Sequence, residues 1–490
     1  MKKSVLAVVT ATVLCLAGLP AAQVQGASGP SQRVAAAAPG LAGTPIVLGS
    51  QMSLFGYDIA MGPTGTAYLG WIASTTGQPE RTVYLCELPK GATACQGGVK
   101  PTPSLGVSSA SGLQVLPPTA SSPVTLVWFH DTANPGPLAA KVATATYANG
   151  VLSGPTDQPA AAPSNGELLT AERGPGGAIW VVLRTPALTS IMIVQGLPAG
   201  TVKTVNPGFA VGKARLAFSS GRAVLVFEKY GTIGERLRVV HQPTTTTWSG
   251  ISTVAGTWSG GAFDVAAKNG VKLVASVNSA TYYPRIANWT GSGFGSFAYT
   301  GDRNNCPRYS HDLFPDASGR LADVTFECSQ LAVANHPKAR TAAFVRFSAG
   351  GTPSGGEPQI GTNPRGLGWV AWGRASTPLG TTFMVAPIRL PAQRTSRTNG
   401  STYGVVTTTG PVSCLPAVQT TIGVKASGRN GWSLLSKALK LDGSLHSTGL
   451  NGAGLAAGST HTVTGSAKFR KNGVTRSLSA SLTFRACPNP

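Results

Sequence analysis

One pattern recurs along most of this chain: a short apolar strand, a turn carrying glycine or another small residue, and a longer apolar strand. It reads DIAMGPTGTAYLGW at 58–71 and returns as GLQVLPPTASSPVTLVW (112–128), LLTAERGPGGAIWVVLR (168–184), ARLAFSSGRAVLVFE (214–228), FDVAAKNGVKLVASV (263–277), HDLFPDASGRLADVTFE (311–327) and PQIGTNPRGLGWVAW (358–372). The turns fall at Gly65, Ser122, Gly177, Gly221, Gly270, Gly319 and Gly366, 44 to 57 residues apart. A hairpin too small to bury its own apolar face must stack on copies of itself, and a period near 50 is that of propeller blades. A third strand follows each hairpin, at 82–88, 138–147, 190–197, 236–242, 283–289, 341–347 and 381–390. The segment TPIVLGS (44–50) has no hairpin of its own and is expected to close the last blade from outside, removing an edge that would otherwise invite aggregation. Residues 44–390 are therefore expected to form a seven-bladed β-propeller.

The rest of the chain agrees with an all-β fold. No apolar stripe with a 3.6-residue period runs for a normal helix length beyond the N-terminus, whereas period-two alternation is common, as at His461–Phe469. The 62 Gly and 36 Pro suit short strands joined by many turns.

Residues 1–27 read as a secretory signal peptide: Lys2 and Lys3 precede an apolar Val5–Leu19, which is too short for a membrane span. Residues 28–43 read as a flexible leader. An exported chain with six remaining cysteines suggests disulfides, and spacing pairs Cys86 with Cys95, Cys306 with Cys328 and Cys414 with Cys487. No Cys-x-x-Cys pair exists, so neither a metal nor a cofactor is expected.

Residues 391–400, PAQRTSRTNG, have linker composition, and 401–490 carry short alternating strands at sandwich spacing, with Asn472-Gly473 as a hairpin turn. Cys414, the LDG at 441–443, the GSTHTV at 458–463 and the FRAC at 484–487 make this region resemble the disulfide-closed Ig-like domain at the C-terminus of many secreted proteins of high-GC Gram-positive bacteria. That resemblance implies a fold, not an activity. Repeats such as GPTGTAYLGW followed by VYLCELPKGATAC make 44–390 similar to the sialidase-like propeller repeat proteins of the same bacteria.

Sialidase chemistry needs more than that likeness. The family's S-x-D-x-G-x-T-W turns are absent, and the segment nearest its Arg-Ile-Pro motif, PRIA at 284–287, places the proline on the other side of Arg285. There is also no G-x-S-x-G elbow, no H-E-x-x-H and no P-loop. His311 and Asp312 are adjacent, which sends their side chains to opposite faces of a strand.

Propeller geometry still locates a ligand face, because the start of each first strand and the end of each second strand lie at one end of the channel. Asp58, Asp264 and Asp312 are expected there at strand starts, with Trp71, Trp128, Arg184, Glu228, Asn278, Glu327 and Trp372 at strand ends. Carboxylates around a funnel could bind cationic or sugar ligands or supply an acid and a base; an Asp at a strand start also commonly caps its turn. Large aromatics at equivalent repeat positions either stack on sugars or pack between blades.

Charge adds a second signal. The chain is formally +22, and from Arg389 onward 12 Lys and Arg face a single acid, Asp442. Such a field favours anionic polymers, with Lys468, Arg470, Lys471 and Arg476 as first contacts. No aromatic platform is interleaved with the basic residues, so a specific nucleic-acid partner is not expected. The sequence thus points to a secreted, monomeric, non-enzymatic binding protein, loosely wall-associated, that engages a glycan or a protein through the propeller and an anionic envelope polymer through its basic region. A sialidase-like glycoside hydrolase acting through funnel carboxylates, with Tyr282 or Tyr283, is the alternative.

Overall fold

The computed structural model describes residues 40–486 apart from 76–79, 103–108, 132–139, 159–165, 199, 232–235, 257–262, 268–269, 278–282, 300–310, 316–320, 328–329, 337–344, 351, 353, 355, 363–366, 376–379, 391–393, 412–413, 416–418, 452–454 and 457. The described residues are β-strands, turns and one 3-10 turn at Pro175–Gly177. Each hairpin read from the sequence is present and antiparallel. Five of them sit in four-stranded antiparallel sheets. The first and last hairpins share one larger sheet, ordered Gln359–Thr362, Leu367–Ala375, Thr381–Arg389, Ile46–Met61, Ala67–Thr75, Thr82–Leu88 and Lys100–Pro101.

That larger sheet exists because Ile46–Met61 serves two neighbours. Its first half pairs with Thr381–Arg389, from Ile46 opposite Val385 to Met52 opposite Thr381, and its second half pairs with Ala67–Thr75. The closing strand expected from TPIVLGS is found, continuous with the first hairpin. Gly40–Leu41 add a further pair to the same edge, so the end of the expected flexible leader is strand. The first strands of successive repeats touch in cyclic order: Ile46–Met61, Ser109–Leu116, Glu167–Arg173, Val211–Ser219, Phe263–Ala267, Asp312–Pro315, Gln359–Thr362 and back to Ile46–Met61. The result is a propeller-like ring.

The core lies between adjacent sheets. Trp71 packs with Phe383 at 5.5 Å and stacks on Tyr84 at 5.3 Å, and Trp128 and Trp372 occupy two further inter-sheet clusters. Two strand assignments change. In the sixth repeat the third strand is Gln330–His336, and Val345–Ser348 is the fourth strand, where the sequence suggested a third. The expected linker 391–400 contains the strand Arg394–Gly400, which pairs with Gly404–Pro411; Ser and Thr alternate there, and Thr398 meets Thr407 at 2.9 Å.

The C-terminal region holds a three-stranded sheet (Arg394–Gly400, Gly404–Pro411, Gly423–Gly428) and a five-stranded one built on Ser433–Leu441, Thr460–Lys471 and Val474–Ala486. The buried hydroxyl of Thr408 ties them: it donates to Ala480 O at 2.6 Å and accepts from Gly465 N–H at 3.0 Å. The Asn472-Gly473 hairpin is present, with both residues in the left-handed region its turn requires.

Candidate functional site

Each of the first four repeats carries a bulge in its first strand, at Leu54/Gly56, Ser111/Gln114, Leu168/Thr170 and Val211/Ala214. A bulge re-aims the side chains that follow it. At the second of these, Gly112 has φ +62° and approaches the neighbouring sheet so closely that a Cβ would lie 2.4 Å from Leu168 O. Just beyond the bulges, and at the matching positions of the other repeats, stand Asp58, Gln114, Thr170, Arg215, Asp264, Asp312 and Gln359. All seven line one cavity of about 590 Å³.

The acids on this ring tie neighbouring first strands together. Asp58 Oδ2 accepts from Val115 N–H at 2.6 Å, Asp264 Oδ2 from Leu313 N–H at 2.7 Å, and Asp312 Oδ2 from Ile360 N–H at 2.6 Å. Their other oxygens belong to the ring. Arg215 Nε donates to Asp264 Oδ1 at 2.8 Å. The Gln359 amide, with its nitrogen toward the acids, donates to Asp312 Oδ1 and Asp58 Oδ1, each at 3.1 Å. Crowding of acids has electrostatic consequences. Burial, with the charge of Asp264, pushes the Asp58 carboxyl up to about 6. Asp312 moves up for the same reasons. Glu172, on the same wall, is pushed up to about 8 by desolvation and then by the charges of Asp58 and Asp264. Burial opposes the Arg215 charge, but Asp264, Glu357 and Asp312 outweigh it and hold the guanidinium firmly protonated.

This cavity reaches the ends of the first strands, at Met61, Pro63, Pro117, Arg173 and Phe218. The sequence placed the three aspartates at the opposite mouth; the pleat, with a bulge before Asp58, turns them into the channel. That opposite mouth holds a smaller cavity of about 340 Å³, and Arg215 lines both. There Arg184 pairs with Glu167, Lys213 with Glu357 at 2.5 Å and Arg236 with Glu228 at 3.2 Å. Arg184 and Glu228 are thus brought together where the sequence placed them, engaged in ion pairs.

The tryptophans are corrected. Trp71, Trp128 and Trp372 are each 1% exposed, so none offers a stacking face, and Trp372 Nε1 donates to Ala349 O at 3.0 Å. Apolar second strands in a stacked ring have neighbours on both faces, which leaves large residues no route to solvent. Asn278, Cys306, Cys328, Cys487 and Tyr282 lie outside the described residues, as do the side chains of Glu327, Tyr283 and Cys414. The Cys86–Cys95 disulfide is present. His311 bonds Asp323, not its neighbour Asp312: Nδ1 lies 3.0 Å from Oδ1 with both side chains wholly buried.

On the basic hairpin, Lys468, Arg470, Lys471 and Arg476 are exposed but do not form one patch. Register puts Lys468 and Arg470 on one face with Ser477 and Thr475, Arg476 opposite buried Phe469 on the other, and Lys471 Nζ on Asn430 O at 2.7 Å.

Gln114, Thr170, Glu172, Arg215 and Gln359 were missed in the sequence. Their signal was present: a polar residue followed by an apolar one recurs six to eight positions before each turn, as in DI, QV, TA, RL, DV, DL and QI.

Among the described residues no cluster of His, Cys, Asp and Glu fits a metal ion, and no helix is long and apolar enough to cross a membrane. No protein-family model matches the chain, and no curated protein matches it. Solved structures resemble it at a distance. Polysaccharide lyase Uly1 is 9% identical with a TM-score of 0.45, covering 69% of this chain and 90% of the other. A protein of unknown function from Dyadobacter fermentans is 11% identical with a TM-score of 0.41, covering 71% and 97%. A lectin from Aleuria aurantia in complex with α-methyl-L-fucoside is 10% identical with a TM-score of 0.37, covering 57% and 94%. At these scores none of the likenesses bears on what this chain binds.

Proposed function

We propose that residues 44–390 are a seven-bladed propeller whose channel binds a small polyhydroxylated ligand, a saccharide, without turning it over. The observation that carries this reading is the polar ring. Its amides, hydroxyl, guanidinium and carboxylates put donors and acceptors around one space of about 590 Å³, within the roughly 300–1,000 Å³ usual for small-molecule sites. A polyol, which both donates and accepts at each hydroxyl, suits such a lining. Three of the acids already accept backbone N–H groups, which favours recognition over proton transfer. In the same reading the protein is exported through residues 1–27, 394–490 form the Ig-like sandwich, and its basic surface associates with anionic envelope polymers. Its disulfides would include Cys306–Cys328 and Cys414–Cys487.

Binding to a panel of immobilised neutral glycans tests this. Positive glycans should lose most of their signal with Gln359→Ala and keep it at high salt, since screening touches charge pairs and not neutral hydrogen bonds. No glycan bound, or binding indifferent to Gln359, would sink the channel reading. The anionic-polymer contact is tested separately: wall fragments should release the protein as salt rises.

A second reading is favoured by Glu172. A carboxyl held above its ordinary range beside the charges of Asp58 and Asp264 is suited to act as a general acid in glycoside hydrolysis. Release of a fluorogenic aglycone that disappears with Glu172→Gln, Asp264→Asn or Asp312→Asn would establish it in place of simple binding.

A further inference from the structure

The two C-terminal segments LDG (441–443) and GSTHTV (458–463) lie well apart in sequence, and the fold brings them together. Asp442 sits at the turn after Ser433–Leu441 with φ +48°, and His461 lies near the start of the neighbouring strand Thr460–Lys471. His461 Nδ1 is 2.7 Å from Asp442 Oδ2, and His461 Nε2 is 2.6 Å from Ser459 Oγ. Asp442 Oδ1 accepts from Thr462 N–H at 2.7 Å, which fixes the carboxylate. The imidazole stacks on Phe484 at 5.5 Å, which fixes the ring. Ser459 Oγ also rests on the Ala456 carbonyl, so its proton has two acceptors.

The charge pattern makes this pairing informative. Asp442 is the only acidic side chain from residue 389 to the end, among 12 Lys and Arg, and the side chain it hydrogen-bonds is that of His461. The cluster is also reachable: the Asp442 side chain is 47% exposed, that of His461 14%, and Ser459 is half-buried.

We propose that Ser459, His461 and Asp442 form a nucleophile, base and orienting acid, and that the C-terminal region is acylated at Ser459 by short-chain carboxylic esters. Asp442 accepts from Nδ1–H and so leaves Nε2 free to take the serine proton, the arrangement an activated hydroxyl requires. In the first step the Ser459 Oγ–carbonyl bond forms, the proton passes to Nε2, and the ester C–O bond breaks as the leaving alkoxide takes that proton. In the second, water gives its proton to Nε2 and attacks the acyl carbon, and Oγ recovers a proton as the carboxylic acid leaves. Water is the only co-reactant. The site lies outside the propeller channel and stands or falls independently of it.

The purified protein should be treated with an aryl fluorophosphonate, which forms a P–O bond to a nucleophilic serine and expels fluoride. The adduct is mapped by peptide mass spectrometry, and p-nitrophenyl acetate hydrolysis is followed alongside. The adduct is expected on Ser459, with hydrolysis abolished by Ser459→Ala. Labelling should slow at least about 100-fold in His461→Gln and Asp442→Asn, while circular dichroism and melting match the parent. Ser459→Ala, which leaves the His–Asp pair intact, keeps the test decisive if either of the other variants misfolds. Labels spread over many serines, Ser459 labelling unchanged by His461→Gln, or hydrolysis that survives Ser459→Ala would overturn the assignment and leave the cluster as a clasp between two strands.

Discussion

Glu172 is a channel carboxyl displaced upward by its surroundings, and the sign of its effect on stability follows directly. Its folded pKa, about 8, lies above the ordinary 4.5, and that of Asp58, about 6, lies above 3.8. The folded state therefore holds protons that the unfolded chain has already released. Stability from these two groups is fully present below their ordinary values and is lost as pH rises, first through about 6 for Asp58 and then through about 8 for Glu172. The Glu172 side chain is exposed to channel water, so its desolvation is partial, its charge is screened and the effect on stability is small. The melting temperature should accordingly fall between about pH 5 and pH 9. Glu172→Gln, which keeps the shape and removes the charge, should flatten the upper part of that fall, and thermal melts across the range check it. A variant that tracks the parent at every pH would show that another group sets the slope.

At the scale of strands, the aspartates act as clasps between neighbouring first strands, and Asp312 gives the cleanest test. Asp312→Ala leaves the Ile360 N–H without its acceptor, which costs about 1–3 kcal/mol for a buried donor. Asp312→Asn keeps an acceptor for that N–H and relieves the repulsion from Asp264 and Asp58, so it should cost less than Asp312→Ala. Denaturant unfolding of the two variants separates a hydrogen-bond role from a charge role. The hairpins themselves were legible in the sequence, because apolar runs around a glycine turn repeat at nearly constant spacing. The direction of their side chains was not. A bulge such as Ser111/Gln114 shifts the pleat by one residue, and nothing in GLQVLPP marks it except Gly112. Arg394–Gly400 misled for a related reason: an edge strand needs only backbone pairing, so its polar composition looks like a linker. The His311–Asp323 contact depends on two strands lying side by side, which adjacency in sequence could not supply.

At the scale of the whole molecule, the ring depends on one segment supplied from far along the chain. Ile46–Met52 is the strand that covers Thr381–Arg389, and without it that edge would present unpaired N–H and C=O groups beside partly buried Ile46 and Leu48 contacts now lost. The same strand continues into the first hairpin, so closure couples residues more than 300 positions apart. A deletion that removes residues 40–52 should therefore do more than trim an edge. The loss of six paired residues and their packing should amount to several kcal/mol, with melting lowered on the order of 10 °C and a tendency to associate through the exposed edge. A synthetic peptide of residues 40–52 offers the control, since an open edge accepts a strand in trans. Restored melting and a monodisperse sedimentation profile on adding the peptide would identify closure as the cause. If the truncated protein melts and sediments like the parent, the ring is held by its inter-sheet cores and the aspartate clasps alone.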